Sequence, residues 1–267
     1  MLANFHTHST FCDGKNTPEE IVLAALEKGF VSIGFSSHGY TPYDLRYCMK
    51  DTDGYIADIK RLKDKYRGDI QIYLGIEEDA FAPVDRSTFD YIIGASHYFV
   101  VGQNYFPIDS GYDHFKRCLE VFHYDINRMA HIYFGSLCEY INAKHCDIIG
   151  HFDLITKFSE KESDLFYGNT EYDKIAEAYV REAIKSDPIF EINTGAVTRG
   201  IRSTVYPNEN LLHVLKKENA RIILGSDSHE IATLDGYFAE TQKYLYDIGF
   251  RSSYILYNRE FVPVDLI

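Results

Sequence analysis

Short apolar runs alternate with amphipathic stretches along the whole chain. Met1 to Phe5 is apolar apart from Asn4 and leads straight into the polar stretch His6-Thr7-His8-Ser9. Thr17-Pro18-Glu19-Glu20 then sets a capping hydroxyl, a proline at the first helical position and a glutamate at the third. This capping box predicts a helix running to about Lys28, where Gly29 stops it. Val31 to Ser36 reads as a second strand, Tyr55 to Tyr66 as a helix, Ile70 to Ile76 as a third strand and Tyr91 to Ala95 as a fourth. Helical periodicity returns from Asp113 to about Ala143. It is followed by strand five (Asp147 to Gly150), a polar loop, a helix from about Tyr172 to Lys185 and strand six (Ile189 to Ile192). A helix over Asn208 to Glu218, strand seven over Arg221 to Leu224 and a last helix over Leu234 to Ile248 complete the pattern, with no internal repeat or linker.

Strands separated by helices predict parallel pairing, because a parallel crossover is usually helical. Seven of them predict a closed α/β barrel; an open doubly wound sheet is the alternative. The chemistry favours closure. Candidate ligands recur at the ends of the apolar runs: His6 and His8 after the first, then His38, Glu77, His97, His151, and Asp227 with His229. Residues two apart in an extended chain point the same way, so His6 and His8 can reach one ion. An α/β barrel collects its active-site residues at the carboxyl ends of many strands, whereas an open sheet gathers them at one crevice.

At 267 residues the length fits one large barrel as well as two smaller domains, and the ligand pattern favours a single domain over 1–267. With 45% hydrophobic and 25% charged residues, the composition is that of an ordinary soluble protein. No apolar run is long enough to span a membrane, and no basic-then-apolar leader opens the chain, so a cytoplasmic location is expected. Five cysteines without a C-x-x-C pair read as free thiols. The net charge of -13 disfavours a nucleic-acid partner, which would require a basic surface, but is compatible with a small anionic substrate held by metal ions and a few arginines. The oligomeric state is not readable.

His6-Thr7-His8, Ser37-His38, Gly75-Ile76-Glu77, Ser96-His97, Gly150-His151-Phe152-Asp153 and Ser226-Asp227-Ser228-His229, in this order and spacing, resemble the motif series of the PHP family, the polymerase and histidinol phosphatase metallo-phosphoesterases. The resemblance spans nearly the whole chain. It implies a distorted (β/α)7 barrel with two or three divalent transition-metal ions at the carboxyl ends of the strands. By the same resemblance, His6, His8, Glu77 and Asp227 hold a first ion, Glu77 bridges to a second with His97 and His151, and Asp13, His38 and His229 hold a third. Asp13 stands where many family members have histidine. Mixed imidazole and carboxylate donors suit Zn, Mn or Fe better than Ca or Mg.

Such a site hydrolyses phosphate esters with a metal-bridging hydroxide as nucleophile. Asp227 or His229 would protonate the leaving group. Arg199 and Arg202, in the loop after strand six, are candidate phosphate ligands because the guanidinium fork matches phosphate oxygens, with Lys157 behind them. His114, His123, His131, His145 and His213 share no ligand spacing and read as surface or core residues. Of the aromatics after strand ends (Tyr40, Tyr43, Tyr98, Phe99, Tyr105 and Phe106), some are expected to wall a pocket and most to pack. Within the family, the chain most resembles the histidinol-phosphate phosphatases of histidine biosynthesis, which convert L-histidinol phosphate to L-histidinol and phosphate. A phosphatase or phosphodiesterase for another small phosphate, such as a nucleotide, is the rival reading, and a non-catalytic metal-binding barrel is a reading from a different class.

Overall fold

The computed structural model describes residues 1–161 and 163–266. Eleven strands are present among them: β1 (Leu2–Asn4), β2 (Phe30–Phe35), β3 (Gln71–Asp79), β4 (Tyr91–Ala95), β5 (Tyr98–Val101), β6 (Asn104–Pro107), β7 (Ile148–Ile149), β8 (Ile189–Asn193), β9 (Arg221–Gly225), β10 (Ser252–Tyr257) and β11 (Glu260–Asp265). β1, β2, β3, β4, β7, β8 and β9 pair in that order, all parallel, and correspond one to one with the seven strands expected.

The sheet curls until its two edges meet at the carboxyl end. There the amide of His8 donates to the carbonyl of Ser228 at 2.8 Å and the amide of Ser228 donates to the carbonyl of His6 at 3.2 Å. At the opposite end the edges stay apart, and β10 joins β9 through Tyr254 and Ile223. Ile255 and Leu256 of β10 pack in the same apolar cluster as Ala3 and Phe5, so the β10–β11 hairpin fills the open seam. The barrel is therefore distorted, closed by backbone above and by an added hairpin below.

Two hairpins lie outside the predicted pattern. In β10–β11 both loop residues, Asn258 and Arg259, adopt left-handed φ values of 52° and 67°, as a tight two-residue turn with the hairpin's own twist requires. β5–β6 turns at Gly102, whose φ of 66° suits a residue without Cβ. Neither turn carries the Asn-Gly or Asp-Gly signature that marks such loops in a sequence. The long helical stretch expected from Asp113 is two helices, Tyr112–Val121 and Ile126–Lys144. His123 and Tyr124 break it with φ values of 54° and 60°, and the Asp125 carboxylate starts the second helix by accepting from the amide of Arg128. The capping box at Thr17 and Glu20 forms as its pattern predicts. Among the described residues no helix is long and apolar enough to cross a membrane.

Helices cover the outside of the sheet and share one large apolar cluster with it, while a smaller cluster fills the barrel interior. Tyr91 of β4 is the largest fully buried side chain of that inner cluster. Its side chain lies over Gly34 and Gly75, where an added Cβ would stand 2.4 Å from the hydroxyl oxygen and 2.2 Å from the ring. Its hydroxyl donates to the carbonyls of Phe5, at 2.6 Å, and Phe35, at 3.1 Å. One side chain thus ties the ends of β1 and β2 to β4, immediately below His6. Removing a buried donor leaves its acceptors unpaired, so Tyr91→Phe is expected to destabilise the fold by about 1–3 kcal/mol, read from urea unfolding. Gly75→Ala should cost more, since the ring has nowhere to go; an unchanged midpoint in either variant would contradict this account of the barrel floor.

Candidate metal centre

Six of the seven parallel strands contribute a candidate ligand at the carboxyl end, and β8 contributes none. His6 and His8 follow β1, His38 follows β2, Glu77 lies near the end of β3, His97 follows β4, His151 follows β7, and Asp227 and His229 follow β9. Parallel pairing continues past the regular strands and fixes the ends of β1, β2 and β3 through backbone. The amide of Ser36 donates to Thr7, that of Glu77 to Ser37 and that of Gly39 to Glu77. Two of the positions hold unusual backbone, with φ of 20° at His151 and 47° at Asp227, the kind of local strain that concentrates at functional sites.

All nine residues expected as ligands come together. Glu77, 1% exposed, lies within ion-pair distance of five imidazoles: His38 at 2.8 Å, His151 at 3.0 Å, His97 at 3.3 Å, His6 at 3.4 Å and His8 at 3.6 Å. Asp227 Oδ1 is 3.1 Å from His8 Nε2 and 3.7 Å from His6 Nε2. Asp13 Oδ1 is 3.4 Å from His229 and 3.7 Å from His38. Four overlapping sets have donor atoms mutually within 4.8 Å: His8 with Asp13, His38 and His229; His6 with Glu77 and His151; His6 with His8 and Asp227; and His38 with Glu77 and His97. Asp153 takes another part. It is fully buried and accepts from the amide of Asn208 at 3.0 Å, anchoring the helix that begins there, and burial raises its carboxyl against the opposing pull of Arg202.

The electrostatics show groups that compete for charge. Burial alone would raise the Glu77 carboxyl, but His38, His6 and His97 hold it well below the usual carboxylate range. Burial opposes ionisation of Asp227 too, and Arg199 with His6 overcomes it. Burial and the neighbouring imidazoles of His229 and His38 push His8 down to about 3. His6 Nε2, His8 Nε2 and Glu77 Oε2 are buried and make no hydrogen bond. Buried lone pairs without donors, arranged as imidazole and carboxylate sets, fit divalent transition metals of the Zn, Mn or Fe type.

Above the cluster opens a cavity of about 410 Å³, lined by His97, His151, Asp227 and His229 and by Arg199, Lys157, Tyr98 and Tyr206. Arg199 donates to Asp227 twice, to the backbone carbonyl at 2.7 Å and to the carboxylate at 3.1 Å. Lys157 is 3.3 Å from Asp109. Arg202 is not brought to this cavity. It is buried, donates to the hydroxyls of Thr156 and Thr204, and stacks on Tyr206 at 4.3 Å. The loop turns at Gly200, φ 66°, so the two arginines face different surroundings. Of the aromatics after strand ends, Tyr98 lines the cavity, Tyr43 stacks on Tyr105 at 3.8 Å, and Phe99 is core.

Sequence reasoning missed the residues behind the ligands. Asp79 accepts from the amide of His97 and contacts its Nδ1 at 3.1 Å. Glu191 contacts His6 Nδ1 at 2.6 Å. Both carried a readable signal, an acid inside or ending an otherwise apolar strand: Asp79 after Glu77-Glu78, and Glu191 within Ile189 to Ile192. Glu78, beside them, is spent on structure, paired with Arg86 and Tyr140. The five cysteines are free thiols.

A PHP domain model matches residues 4–195, well over half the chain. The chain belongs to the PHP domain family. It is 27% identical over 254 residues to the probable histidinol-phosphatase of Schizosaccharomyces pombe, covering 86% of this chain and 81% of that one. The histidinol-phosphatase of Bacillus subtilis is 25% identical over 252 residues, covering 84% and 92%. In three dimensions the chain is similar to the histidinol phosphate phosphatase of Lactococcus lactis, determined with zinc, L-histidinol and phosphate: TM-score 0.71 at 18% identity, over 97% of this chain and 98% of that one. That likeness establishes this PHP protein's fold as the distorted α/β barrel.

Glu77 is central to the ligand geometry, so Glu77→Gln removes a charge that five imidazoles face. Purified without chelators, the variant is expected to lose most of its bound metal and its turnover, by more than the ~10–100-fold of changes one shell further out. Elemental analysis beside the parent protein checks this; normal metal content would overturn the central role of Glu77.

Proposed function

We propose that this chain is a metal-dependent phosphomonoesterase that hydrolyses L-histidinol phosphate to L-histidinol and inorganic phosphate in histidine biosynthesis. The observation that carries the reading is the nine-ligand cluster at the floor of a cavity that also presents Arg199 and Lys157. Histidinol-phosphatases related over most of their length support it. Two or three ions of Zn, Mn or Fe would be held by His6, His8, Glu77 and Asp227, by Glu77, His97 and His151, and by Asp13, His38 and His229. Bound there, they lower the pKa of water and neutralise phosphoryl oxygens.

The protein's own groups do the rest. Arg199 and Lys157 place positive charge beside the cluster, where phosphate oxygens gain negative charge on the way to the transition state. Asp227 is held ionised, so of the two candidates His229, 3.7 Å from it on the cavity wall, is the group from which the leaving oxygen takes its proton. Asp44 and Asp109 line the same cavity and complement a substrate whose other end is an amine. Arg202, committed to Thr156, Thr204 and Tyr206, is left out of the phosphate site.

The holoprotein is expected to release phosphate from L-histidinol phosphate far faster than from a panel of nucleotides, and to stop when EDTA strips its metal. Equal or faster turnover of a nucleotide would transfer the assignment to a different phosphoesterase, and no metal-dependent release from any ester would leave a non-catalytic barrel. Arg199→Ala should keep its metal yet lose roughly 2.7–4 kcal/mol of transition-state stabilisation, measured as kcat/KM on histidinol phosphate. Arg199→Lys should recover part of the loss, because an ammonium keeps charge without the fork. Unchanged kcat/KM and unchanged inhibition by phosphate in the alanine variant would remove Arg199 from the site.

A further inference from the structure

Glu191 sits in the interior of β8, 1% exposed, and no lysine or arginine among the described residues pairs with it. Three donors converge on its two oxygens. Oε1 is 2.6 Å from His6 Nδ1, while Oε2 accepts from the amide of His151 at 2.9 Å and from the Asn193 side chain at 3.0 Å. The neighbouring strand makes room for this: a Cβ on Gly225 would stand 1.9 Å from Oε1.

The bond to His6 selects a tautomer. A carboxylate can only accept, so Nδ1 carries the hydrogen and Nε2 keeps its lone pair. Nε2 is the buried atom that lacks a hydrogen bond, and it lies 3.4 Å from Glu77 and 3.7 Å from Asp227. A lone pair aimed between two carboxylates calls for positive charge between them, from a metal ion or, without one, a proton. The other oxygen holds the amide of His151, whose φ of 20° needs support. His6 and His151 come from strands far apart in sequence, yet both belong to donor sets with Glu77.

We propose that Glu191 is a positioning residue for the metal centre, one carboxylate that fixes the His6 tautomer and the His151 backbone together. The inference rests on the metal reading of the cluster, and not on the identity of the substrate. It predicts that glutamate is required where glutamine has the same shape. All three neighbours are donors, so an amide can turn its oxygen to His6 or to His151, and its NH2 then faces the other donor.

The test is Glu191→Gln in the full chain, with zinc retention measured by competition against a chromogenic chelator. Partners of this kind are expected to contribute ~10–100-fold to affinity. Zinc should therefore be held that much more weakly, with any turnover lost at limiting metal returning as zinc is raised. A folded Glu191→Gln protein that retains zinc like the parent overturns the proposal. Should the variant fail to fold, ¹⁵N shifts of the His6 ring in the parent holoprotein decide. Nδ1–H with metal on Nε2 upholds the assignment, and the reverse tautomer sinks it. Zinc retention is independent of phosphate release, so a protein that hydrolyses no histidinol phosphate can still pass this test, and an active phosphatase can fail it.

Discussion

A carboxylate with almost no access to water, ringed by five imidazoles, is the constraint on which the rest of the molecule turns. Glu77 cannot be buried in an apolar barrel at small cost. Its surroundings must supply positive charge, and the surroundings are the ends of strands that diverge in sequence but meet in space. The helices and the outer apolar layer hold those ends at a fixed spacing; the cluster in turn gives the strand ends a reason to converge. Removing water from such a site strengthens every interaction within it, which is why the same packing that shapes the barrel also sets the power of its chemistry.

The division between what was legible in the chain and what was not follows the range of the physics. Regular strands announce themselves because each is a short apolar run, and the candidate ligands because a histidine or acid directly after such a run has few structural uses. Seven parallel strands and eight of the nine converging side chains were accessible on that basis, while Asp13 came only through the family resemblance. The two hairpins were not, since β5–β6 and β10–β11 turn on residues such as Gln103 and Arg259 that carry no turn signal of their own. The break between the helices at Tyr112–Val121 and Ile126–Lys144 was hidden too, because left-handed backbone at His123 and Tyr124 is a tertiary choice.

Arg202 shows the limit most clearly. Its spacing from Arg199 and its loop position suggested a shared task, but direction in a loop depends on each φ and ψ, and one glycine turn sends the second guanidinium onto Tyr206. Glu191 and Asp79 show the converse. They were visible as acids in apolar strands, but their meaning comes from partners 185 and 18 residues away. A residue that acts by orienting another has no motif, since what it needs is a distance.

The upper seam of the barrel is closed by two backbone hydrogen bonds between His6-Thr7-His8 and Ser228, and the Asn4 amide reaches Ser226 across 222 residues of sequence. On a ribosome the first histidines of the cluster leave the exit tunnel long before the last ones are made. Throughout that interval the donor sets that need Asp227 or His229 are incomplete, and closing so long a loop is entropically slow. Closure of the barrel is thereby placed at the end of synthesis, and a chain interrupted before Asp227 would carry most of the candidate ligands without the seam that holds His6 and His8 in register.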